Sequence, residues 1–176
     1  MKKFRQWLES FHPEEIKKIN KSYDDHGFDS AISVHDIMPL LKHKMKKHHH
    51  VLDYGAGKIP KISKMLKKLG YNVTPHEIGE NRTHEHDPDA LSKKYDVVLA
   101  LNVLNHLPDH DKFTQSLRQM KSVLNPKGCC IVTLPKHPRA MKIDKNRLKE
   151  VLDDLFPKHT VKTKPEKGSL LILEKD

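Results

Sequence analysis

Apolar residues follow two different spacings along the chain, and the spacing changes near residue 49. Before that point, apolar side chains recur at i, i+3 and i+4, which is the spacing of one face of an α-helix. After it, short apolar runs alternate with amphipathic segments, a pattern typical of strands that alternate with helices. The sequence therefore predicts N-terminal helices followed by an α/β core.

Residues 1–48 are predicted to be mainly helical. One helical region spans residues 3–20, and Pro13 opens a second helix within it. A later helix is expected to be capped by Asp29 or Ser30, because both residue types cap helix N-termini, and to continue despite Pro39. The apolar residues of this region are Phe4, Trp7, Leu8, Phe11, Ile32, Ile37, Leu40 and Leu41. We interpret residues 1–48 as a lid or as one wall of a substrate site.

Residues 49–176 are predicted to form an α/β core with one doubly wound, mostly parallel sheet and a C-terminal antiparallel hairpin. A strand that is apolar throughout is typical of a sheet covered by helices on both faces. The predicted strands are His49–Tyr54, Tyr71–His76, Tyr95–Leu101, Cys129–Leu134, His159–Lys164 and Ser169–Glu174. The predicted helices are Pro60–Leu69, Asp109–Leu124 and Asp144–Leu155, and turns are expected at Gly55–Lys58, Asn125–Gly128 and Pro165–Gly168.

Charge is unevenly distributed over this chain of 176 residues, whose formal net charge is +10. Lysine and arginine dominate before residue 71 and after residue 110, whereas acids are in excess between them. Basic flanks of this kind either attract a polyanion such as nucleic acid or are solvated faces of helices. The composition leaves both interpretations open.

The sequence also bears on cellular location. No apolar run reaches the roughly 20 residues of a membrane helix, and the basic N-terminus is not followed by the apolar segment of a secretory signal. The two cysteines, Cys129 and Cys130, are adjacent, and adjacent cysteines rarely form a disulfide. We therefore expect a cytoplasmic protein with no membrane partner, whose oligomeric state the sequence leaves open.

The segment Val51–Gly57 is the sharpest chemical signal. A strand ends, glycines turn the chain tightly, and the N-terminus of the next helix offers N–H groups to a ligand. A dinucleotide site requires the pattern G-x-G-x-x-G, but the sixth position here is Pro60, which disfavours an NAD site. The alternative pattern is an acid just before the glycines, Asp53, followed by G-x-G.

Several motifs in order resemble those of the class I S-adenosylmethionine-dependent methyltransferase family, from about residue 49 to the end. Asp53-x-Gly55-x-Gly57 resembles the first motif of that family. The run NVLNHLPD over Asn102–Asp109 resembles its VLxHLPD stretch, and Leu117–Gly128 is similar to its LRxxxxxLKPGG segment. The terminal hairpin also resembles the family, whose seventh strand is antiparallel.

The resemblance implies that S-adenosylmethionine is the cofactor and S-adenosylhomocysteine the product. The residues implied to hold the methionine end of the cofactor are Asp53, Gly55, Ala56 and Gly57. Glu77, at the end of the second strand, is the implied partner of the ribose hydroxyls. Asp87 is the candidate for the adenine contact by its order along the chain, with Asp89 as the reserve.

Asn102 and His106 follow the strand Tyr95–Leu101, at the end of the sheet where α/β proteins bind ligands. Both are candidate catalytic residues, and Asn102 is also a candidate for cofactor binding. His106 could act as a base near neutral pH or could merely be a residue at the entry of a helix. His84 and His86 share one face of an extended segment, but no clear third and fourth ligand follows, so no metal site is expected.

The sequence thus predicts an enzyme that methylates a nucleic acid, with RNA favoured, or a small molecule. The alternative is a non-catalytic binding or scaffold protein that keeps the fold. Its motivation is Ile59, which stands where the family has a third glycine, and the short stretch Glu77–Lys94. In that stretch one helix of the family is expected to be missing or reduced.

Overall fold

The computed structural model describes residues 12–24, 32–136 and 144–176. In chain order its elements are α1 (Pro13–Asp24), α2 (Val34–Lys44), β1 (His50–Tyr54), α3 (Lys61–Lys68), β2 (Asn72–His76), β3 (Tyr95–Leu101), α4 (His110–Val123), β4 (Leu124–Pro135), α5 (Lys145–Leu155), β5 (Lys158–Lys164) and β6 (Gly168–Glu174). Short 3-10 turns lie at Gly79–Asn81, Ala90–Ser92 and Leu104–His106. None of the helices in the described ranges is long and apolar enough to cross a membrane.

The strands form one six-stranded sheet in the order β2-β1-β3-β4-β6-β5. Strands β2, β1, β3 and β4 run parallel, whereas β6 is antiparallel to β4 and β5 is antiparallel to β6. The predicted mostly parallel sheet with a C-terminal hairpin is confirmed. We call the edge at which the parallel strands end the carboxyl edge, and the edge at which they begin the amino edge.

Helices cover both faces of this sheet because successive residues of its central strands are apolar on both sides. On one face, Val97 and Leu99 of β3 belong to a core with α2 and α3. On the other face, Val98 and Ala100 belong to a core with α4 and α5. Each fully buried aliphatic side chain contributes about 1.5–3 kcal/mol, so the two cores fix the sheet firmly and position its ends.

The predicted cap of α2 is wrong, because the helix begins after Ser33. The Ser33 hydroxyl accepts the N–H of Asp36, and the Asp36 carboxylate accepts the N–H of Ser33 at 2.9 Å. This reciprocal capping box satisfies two backbone donors at the start of the helix, the N–H groups of Ser33 and Asp36. Asp29 and Ser30 themselves lie outside the described residues, as do Phe4, Trp7, Leu8 and Phe11.

The predicted turn Asn125–Gly128 lies inside β4 rather than before it. Tyr95 pairs with Leu124 and Val97 pairs with Cys129, so residues 125–128 bulge out of the ladder between two paired positions. Lys127 has a φ of 62°, in the left-handed region typical of turns. The sequence therefore predicted the turn residues correctly, but the strand continues on both sides of the turn.

The stretch Glu77–Lys94 contains two 3-10 turns and no α-helix, as expected from its length. Strand β2 lies at one end of the sheet. On its outer side, the Pro75 carbonyl accepts the N–H of Asp87 at 3.0 Å. The segment that follows β2 therefore folds back along the strand that it leaves.

Helix α1 lies over the carboxyl edge. It packs against the turns Gly79–Asn81 and Leu104–His106, which follow β2 and β3 respectively. Ile16 is partly buried against the core, and the Glu15 carboxylate lies 3.7 Å from Nζ of Lys112. Helix α1 thus lies above the ends of two parallel strands, whereas α2 packs on one face of the sheet.

Candidate active site

The glycine loop after β1 is fixed to the end of β2. The backbone N–H groups of Gly55 and Ala56 both donate to the carbonyl of His76, at 3.0 and 2.9 Å. Gly55 and Gly57 have φ values of 74° and 73°, a region that residues with a Cβ rarely adopt. The loop therefore turns sharply outward at the carboxyl edge.

The two glycines are needed for different reasons. A Cβ on Gly55 would lie 2.4 Å from Cγ1 of Val103, so this position has no room for a side chain. A Cβ on Gly57 would meet nothing within 4 Å. The space beside Gly57 is therefore the cradle against which a cofactor can lie, while Gly55 allows the loop to pack against the chain after β3.

The peptide groups of Gly57 are held by two buried side chains. Oε2 of Glu77 accepts the Gly57 N–H at 2.7 Å, and Oε1 accepts the N–H of Ile78 at 2.8 Å. The Thr83 N–H donates to Nδ1 of His86 at 2.9 Å, so Nδ1 is an acceptor and the proton lies on Nε2. Nε2 therefore donates to the Gly57 carbonyl, 2.9 Å away.

His86 is a site residue that the sequence analysis missed in this role. The His84-x-His86 pattern suggested a shared face, but His84 is exposed and His86 is buried against the glycine loop. No group of three or more histidine, cysteine or acidic side chains within the described residues could hold a metal ion. A contact between a loop carbonyl and a side chain 29 positions away leaves no signal in a single sequence.

Two carboxyl groups are buried where the glycine loop meets the end of β2, a place that we call the cofactor corner. Asp53 is 2% exposed and accepts the hydroxyl of Ser63 at 2.7 Å, and Glu77 is 5% exposed. Desolvation raises the pKa of Asp53 to about 6 and that of Glu77 to about 7, and the charge on Asp53 adds to the effect at Glu77. Buried acids whose pKa values are shifted by desolvation are typical of a functional site.

Asn102 has its side chain engaged on both sides. Its Oδ1 accepts the hydroxyl of Thr133 at 3.1 Å, and its Nδ2 donates to the Ile32 carbonyl at 3.0 Å. Its φ of 57° turns the chain at the end of β3. Asn102 therefore joins β3, β4 and the segment before α2, and its observed contacts are those of a positioning residue.

His106 lies one short turn after Asn102 and hydrogen-bonds to the Asn102 backbone. Burial lowers the pKa of His106 to about 4, so its ring is neutral at physiological pH. The ring nitrogen that donates to the backbone carries the proton, which makes the second nitrogen an acceptor. Val103, which contacts Gly55, places this turn directly beside the glycine loop.

Asp87 is occupied within its own turn. Its carboxylate accepts the N–H of Asp89 at 2.8 Å and forms an ion pair with Lys93. The hydrogen bond and charge of Lys93 hold the pKa of Asp87 below its usual range, although desolvation opposes them. The structure therefore brings Asp53, the glycine loop and Glu77 together, and it places Asp87 across the outer side of β2.

Ile59 occupies the position of the third glycine of the motif and is 57% exposed. Its side chain is directed to solvent, and α3 still begins two residues later, with the apolar Pro60 at its cap. The substitution that motivated the scaffold alternative is therefore accommodated without filling the space beside Gly57.

Comparison with solved structures shows the same fold. Magnesium protoporphyrin IX methyltransferase from Synechocystis, solved with bound SAM, is 18% identical, with a TM-score of 0.62 over 81% of this chain and 78% of that chain. A 1,6-didemethyltoxoflavin-N1-methyltransferase from Burkholderia thailandensis, solved with S-adenosylhomocysteine, is 16% identical, with a TM-score of 0.55 over 94% and 92% of the two chains. No curated protein matches the sequence.

A third similar structure is a 16S rRNA N2 methyltransferase from T. thermophilus in complex with AdoMet and guanosine. It is 16% identical, with a TM-score of 0.56 over 80% of this chain and 42% of that chain. A profile of the family described as "Methyltransferase domain" matches residues 25–163. The chain thus belongs to the methyltransferase-domain family, and the expected S-adenosylmethionine-dependent class I methyltransferase is confirmed.

Proposed function

We propose that this chain holds S-adenosylmethionine against the loop Gly55–Gly57 and methylates a nucleophile of RNA beside His106. The observation that carries the cofactor placement is the pair of contacts from the buried Glu77 carboxylate to the Gly57 and Ile78 N–H groups. They set a negative charge at the edge of the open cradle beside Gly57. When bound there, the cofactor would supply a methyl group from its sulfonium: the acceptor lone pair would bond to the methyl carbon as the carbon–sulfur bond breaks, and S-adenosylhomocysteine would be the leaving group.

Glu77 is the proposed partner of the ribose hydroxyls. A carboxylate accepts hydrogen bonds from hydroxyl groups more strongly than a neutral acid does, so the ionised form is the one that binds. Because burial raises the pKa of Glu77 to about 7, a bound hydroxyl pair would replace part of the lost hydration of this charge. Asp53, one strand away, contacts the start of α3 through the Ser63 hydroxyl and is proposed to support the geometry of the loop.

His106 is proposed to accept a hydrogen bond from the nucleophile and so to orient its lone pair. Its pKa of about 4 makes it a weak base, which suits an acceptor whose proton leaves readily after methylation. Positioning of the two reactants is the main contribution that the chain can make, since the sulfonium already supplies a good leaving group. Asn102 is proposed to hold His106 through its backbone and to contact the cofactor at most indirectly.

The choice of RNA as the proposed acceptor rests on the net charge of the chain. A net charge of +10 favours association with a polyanion, and among the two acceptor classes only RNA is one. A small molecule is the second candidate. It is favoured by α1, which lies over both turns at the carboxyl edge and narrows the approach to His106.

Calorimetric titration with S-adenosylhomocysteine tests the cofactor site. Glu77→Ala is expected to weaken binding by roughly ten- to a hundredfold, the effect of about 1.5–3 kcal/mol for a hydrogen bond to a charged group. Glu80→Ala is the matched control, because Glu80 is an exposed acid three residues away and its loss should leave binding unchanged. Equal affinities of the wild-type protein and Glu77→Ala would contradict the placement.

A second assay tests the acceptor and His106. Transfer of a labelled methyl group to total cellular RNA, and not to the small-molecule fraction, is expected with the wild-type enzyme. His106→Ala should lower kcat while leaving the affinity for S-adenosylhomocysteine unchanged, because the ring lies on the acceptor side of the site. Label in the small-molecule fraction alone would replace RNA by the second candidate.

A further inference from the structure

The amino edge of the sheet, opposite the cofactor corner, carries a concentration of lysines that the methyl-transfer site does not use. They lie in the loop before β1, at the end of α3, before β3, at the end of α4, in the bulge of β4 and after β6. These amino-edge lysines are Lys46, Lys47, Lys67, Lys68, Lys94, Lys121, Lys127 and Lys175.

Backbone carbonyl groups hold several of these lysines in place. The ammonium of Lys47 donates to the Leu69 carbonyl and lies 3.8 Å from the centre of the Tyr71 ring. Lys94 donates to the Ser122 carbonyl, and Lys175 donates to the carbonyls of Lys121 and Leu124. The side chains are therefore ordered toward the ends of α3 and α4.

Carbonyl groups orient an ammonium but do not neutralise it. Within the described residues, none of the amino-edge lysines forms an ion pair with a carboxylate. The nearby acids contact other groups. Asp96 accepts hydrogen bonds from Asn125 and the His50 N–H. Glu174 forms an ion pair with Lys44, and Asp176 forms one with Lys158. Lysines therefore outnumber acids at this edge, and the carboxylate of Asp96, which bonds only to neutral groups, offsets a single unit of their positive charge.

The lysines also crowd one another. The pKa of Lys175 lies below its ordinary value because of burial and because the ammonium groups of Lys94 and Lys121 are close. A fold that keeps three ammonium groups together without a carboxylate leaves a site at which anions are attracted.

We infer that the amino edge is a docking surface for the phosphate backbone of single-stranded RNA. Neighbouring strands are about 4.8 Å apart, so the lysines from β2 to β4 form a row along which successive phosphates can lie. The rings of the exposed His48 and the half-buried His49 meet edge to face with centroids 4.8 Å apart. They stand beside this row and can stack on unpaired bases. An anionic membrane fits less well, because Leu69 is the one exposed large apolar side chain described at this edge.

The surface lies one strand length, about 15–25 Å, from the cofactor corner. An RNA bound to it must therefore extend around the sheet to bring a nucleotide to His106. This inference rests on the proposed function only in its choice of RNA, and it makes the amino edge a binding surface separate from the methylating site. Duplex RNA or DNA is too stiff to follow both edges at this distance.

Fluorescence anisotropy with a labelled single-stranded RNA of about 20 nucleotides tests the surface, since such a length exceeds one typical single-strand site. The docking variant is Lys46→Glu with Lys68→Glu, two exposed residues of the amino edge. The matched control is Lys149→Glu with Lys162→Glu, exposed lysines of α5 and β5. Both variants lower the formal net charge from +10 to +6, because each Lys→Glu change removes two units.

The docking variant should lose at least tenfold in RNA affinity, and the slope of log affinity against log salt should fall by about 0.7 for each phosphate that is no longer neutralised. The control should lose less than threefold. Equal losses in both variants would show attraction by net charge alone and would overturn the surface, as would tighter binding to phosphatidylserine vesicles or to duplex DNA than to the RNA.

Titration with S-adenosylhomocysteine separates this inference from the proposed function. Intact cofactor binding in the docking variant, together with its loss of RNA affinity, supports two separate sites. If RNA binds at the amino edge but is never methylated, the proposed acceptor is wrong and the docking surface stands. If the wild-type protein does not bind RNA at physiological salt, the docking surface is wrong whatever the methylation assay gives.

Discussion

The two edges of the sheet treat ionisable side chains in opposite ways. At the carboxyl edge, Asp53 and Glu77 are buried, and each accepts hydrogen bonds from neighbouring groups of the chain. At the amino edge, lysines such as Lys46 and Lys68 are exposed and have no carboxylate partner among the described residues. A few buried charges can bind one small ligand through specific contacts, whereas many exposed charges can bind a long polyanion.

This contrast implies different tolerances to substitution. A buried, hydrogen-bonded corner depends on each atom, because leaving a buried polar group unsatisfied costs about 1–3 kcal/mol. Exposed charges act through their sum, and each can be replaced at little cost to the fold. The largest effects of mutation should therefore lie at the glycine loop and the smallest at the amino-edge lysines.

The strongest test compares alanine at the two loop glycines. Gly55→Ala should destabilise the protein by about 2–5 kcal/mol, because its φ of 74° is strained for alanine and its Cβ would overlap Val103. Gly57→Ala has the same strain but no overlap, so it should cost about 1–2 kcal/mol and mainly weaken cofactor binding. Urea unfolding and titration with S-adenosylhomocysteine measure the two effects.

A double variant checks the origin of the Gly55 effect. Val103→Ala should relieve the overlap, so Gly55→Ala should cost less in the Val103→Ala background than in the wild-type protein. If the cost of Gly55→Ala is the same in both backgrounds, contact with Val103 does not explain the need for glycine.

A second test measures how the contribution of Glu77 to stability depends on pH. Its pKa rises from 4.5 to about 7 on folding, so the folded protein binds the proton more tightly than the unfolded chain does. Its contribution to stability is therefore present below about pH 4.5 and is lost as the pH rises through 7. Glu77→Gln should be no more stable than wild type at pH 5 and gain in relative stability toward pH 8, by roughly 1.4 kcal/mol per unit of pKa shift.

Cofactor affinity should change with pH in the other direction. Because binding uses the carboxylate, the wild-type affinity for S-adenosylhomocysteine should fall by up to about tenfold per pH unit below pH 7. Thermal unfolding and calorimetry over pH 5 to 8 measure both trends, with Glu80→Gln as the control. A Glu77→Gln variant that keeps the wild-type pH dependence would assign the proton to another group, with Asp53 as the first alternative.

The smallest effect is expected at the amino edge. Lys46→Glu with Lys68→Glu should change the free energy of unfolding by less than about 0.5 kcal/mol per site, because both side chains are exposed. The affinity for S-adenosylhomocysteine should be unchanged. A fall in either quantity as large as that of Gly57→Ala would remove the proposed division between the two edges.

Much of the fold could be predicted from the sequence, because strands buried on both faces and capped helices have local signatures. Tyr95–Leu101 was predicted with the bounds observed, and the caps Asp109 and Asp144 were identified as helix starts. The errors lie where two local signals compete. Ser33 was missed because Asp29 and Ser30, a few residues upstream, are also residue types that cap helices, and β4 was shortened because a bulge and a turn use the same residue types.

The candidate site was only partly predictable. The motif placed Asp53, Gly55, Gly57 and Glu77 together because Asp53 lies near the end of β1, the glycines follow β1, and Glu77 follows the neighbouring parallel strand β2. The hydrogen bond between His86 and the Gly57 carbonyl joins residues distant in the chain, as do the hydrogen bonds of Asn102 with Thr133 and Ile32. Such contacts have no period and no fixed spacing, so they emerge only when the chain is folded.

The bond between the Pro75 carbonyl and the Asp87 N–H has a consequence for self-association. In a strand, the N–H and C=O of one residue point to the same side, so the missing N–H of Pro75 also faces outward from β2. A foreign strand that approached this end of the sheet would find one donor absent and the adjacent acceptor already bonded. The segment that folds back along β2 thus also blocks the place where another chain could add a strand, which protects this edge against edge-to-edge aggregation.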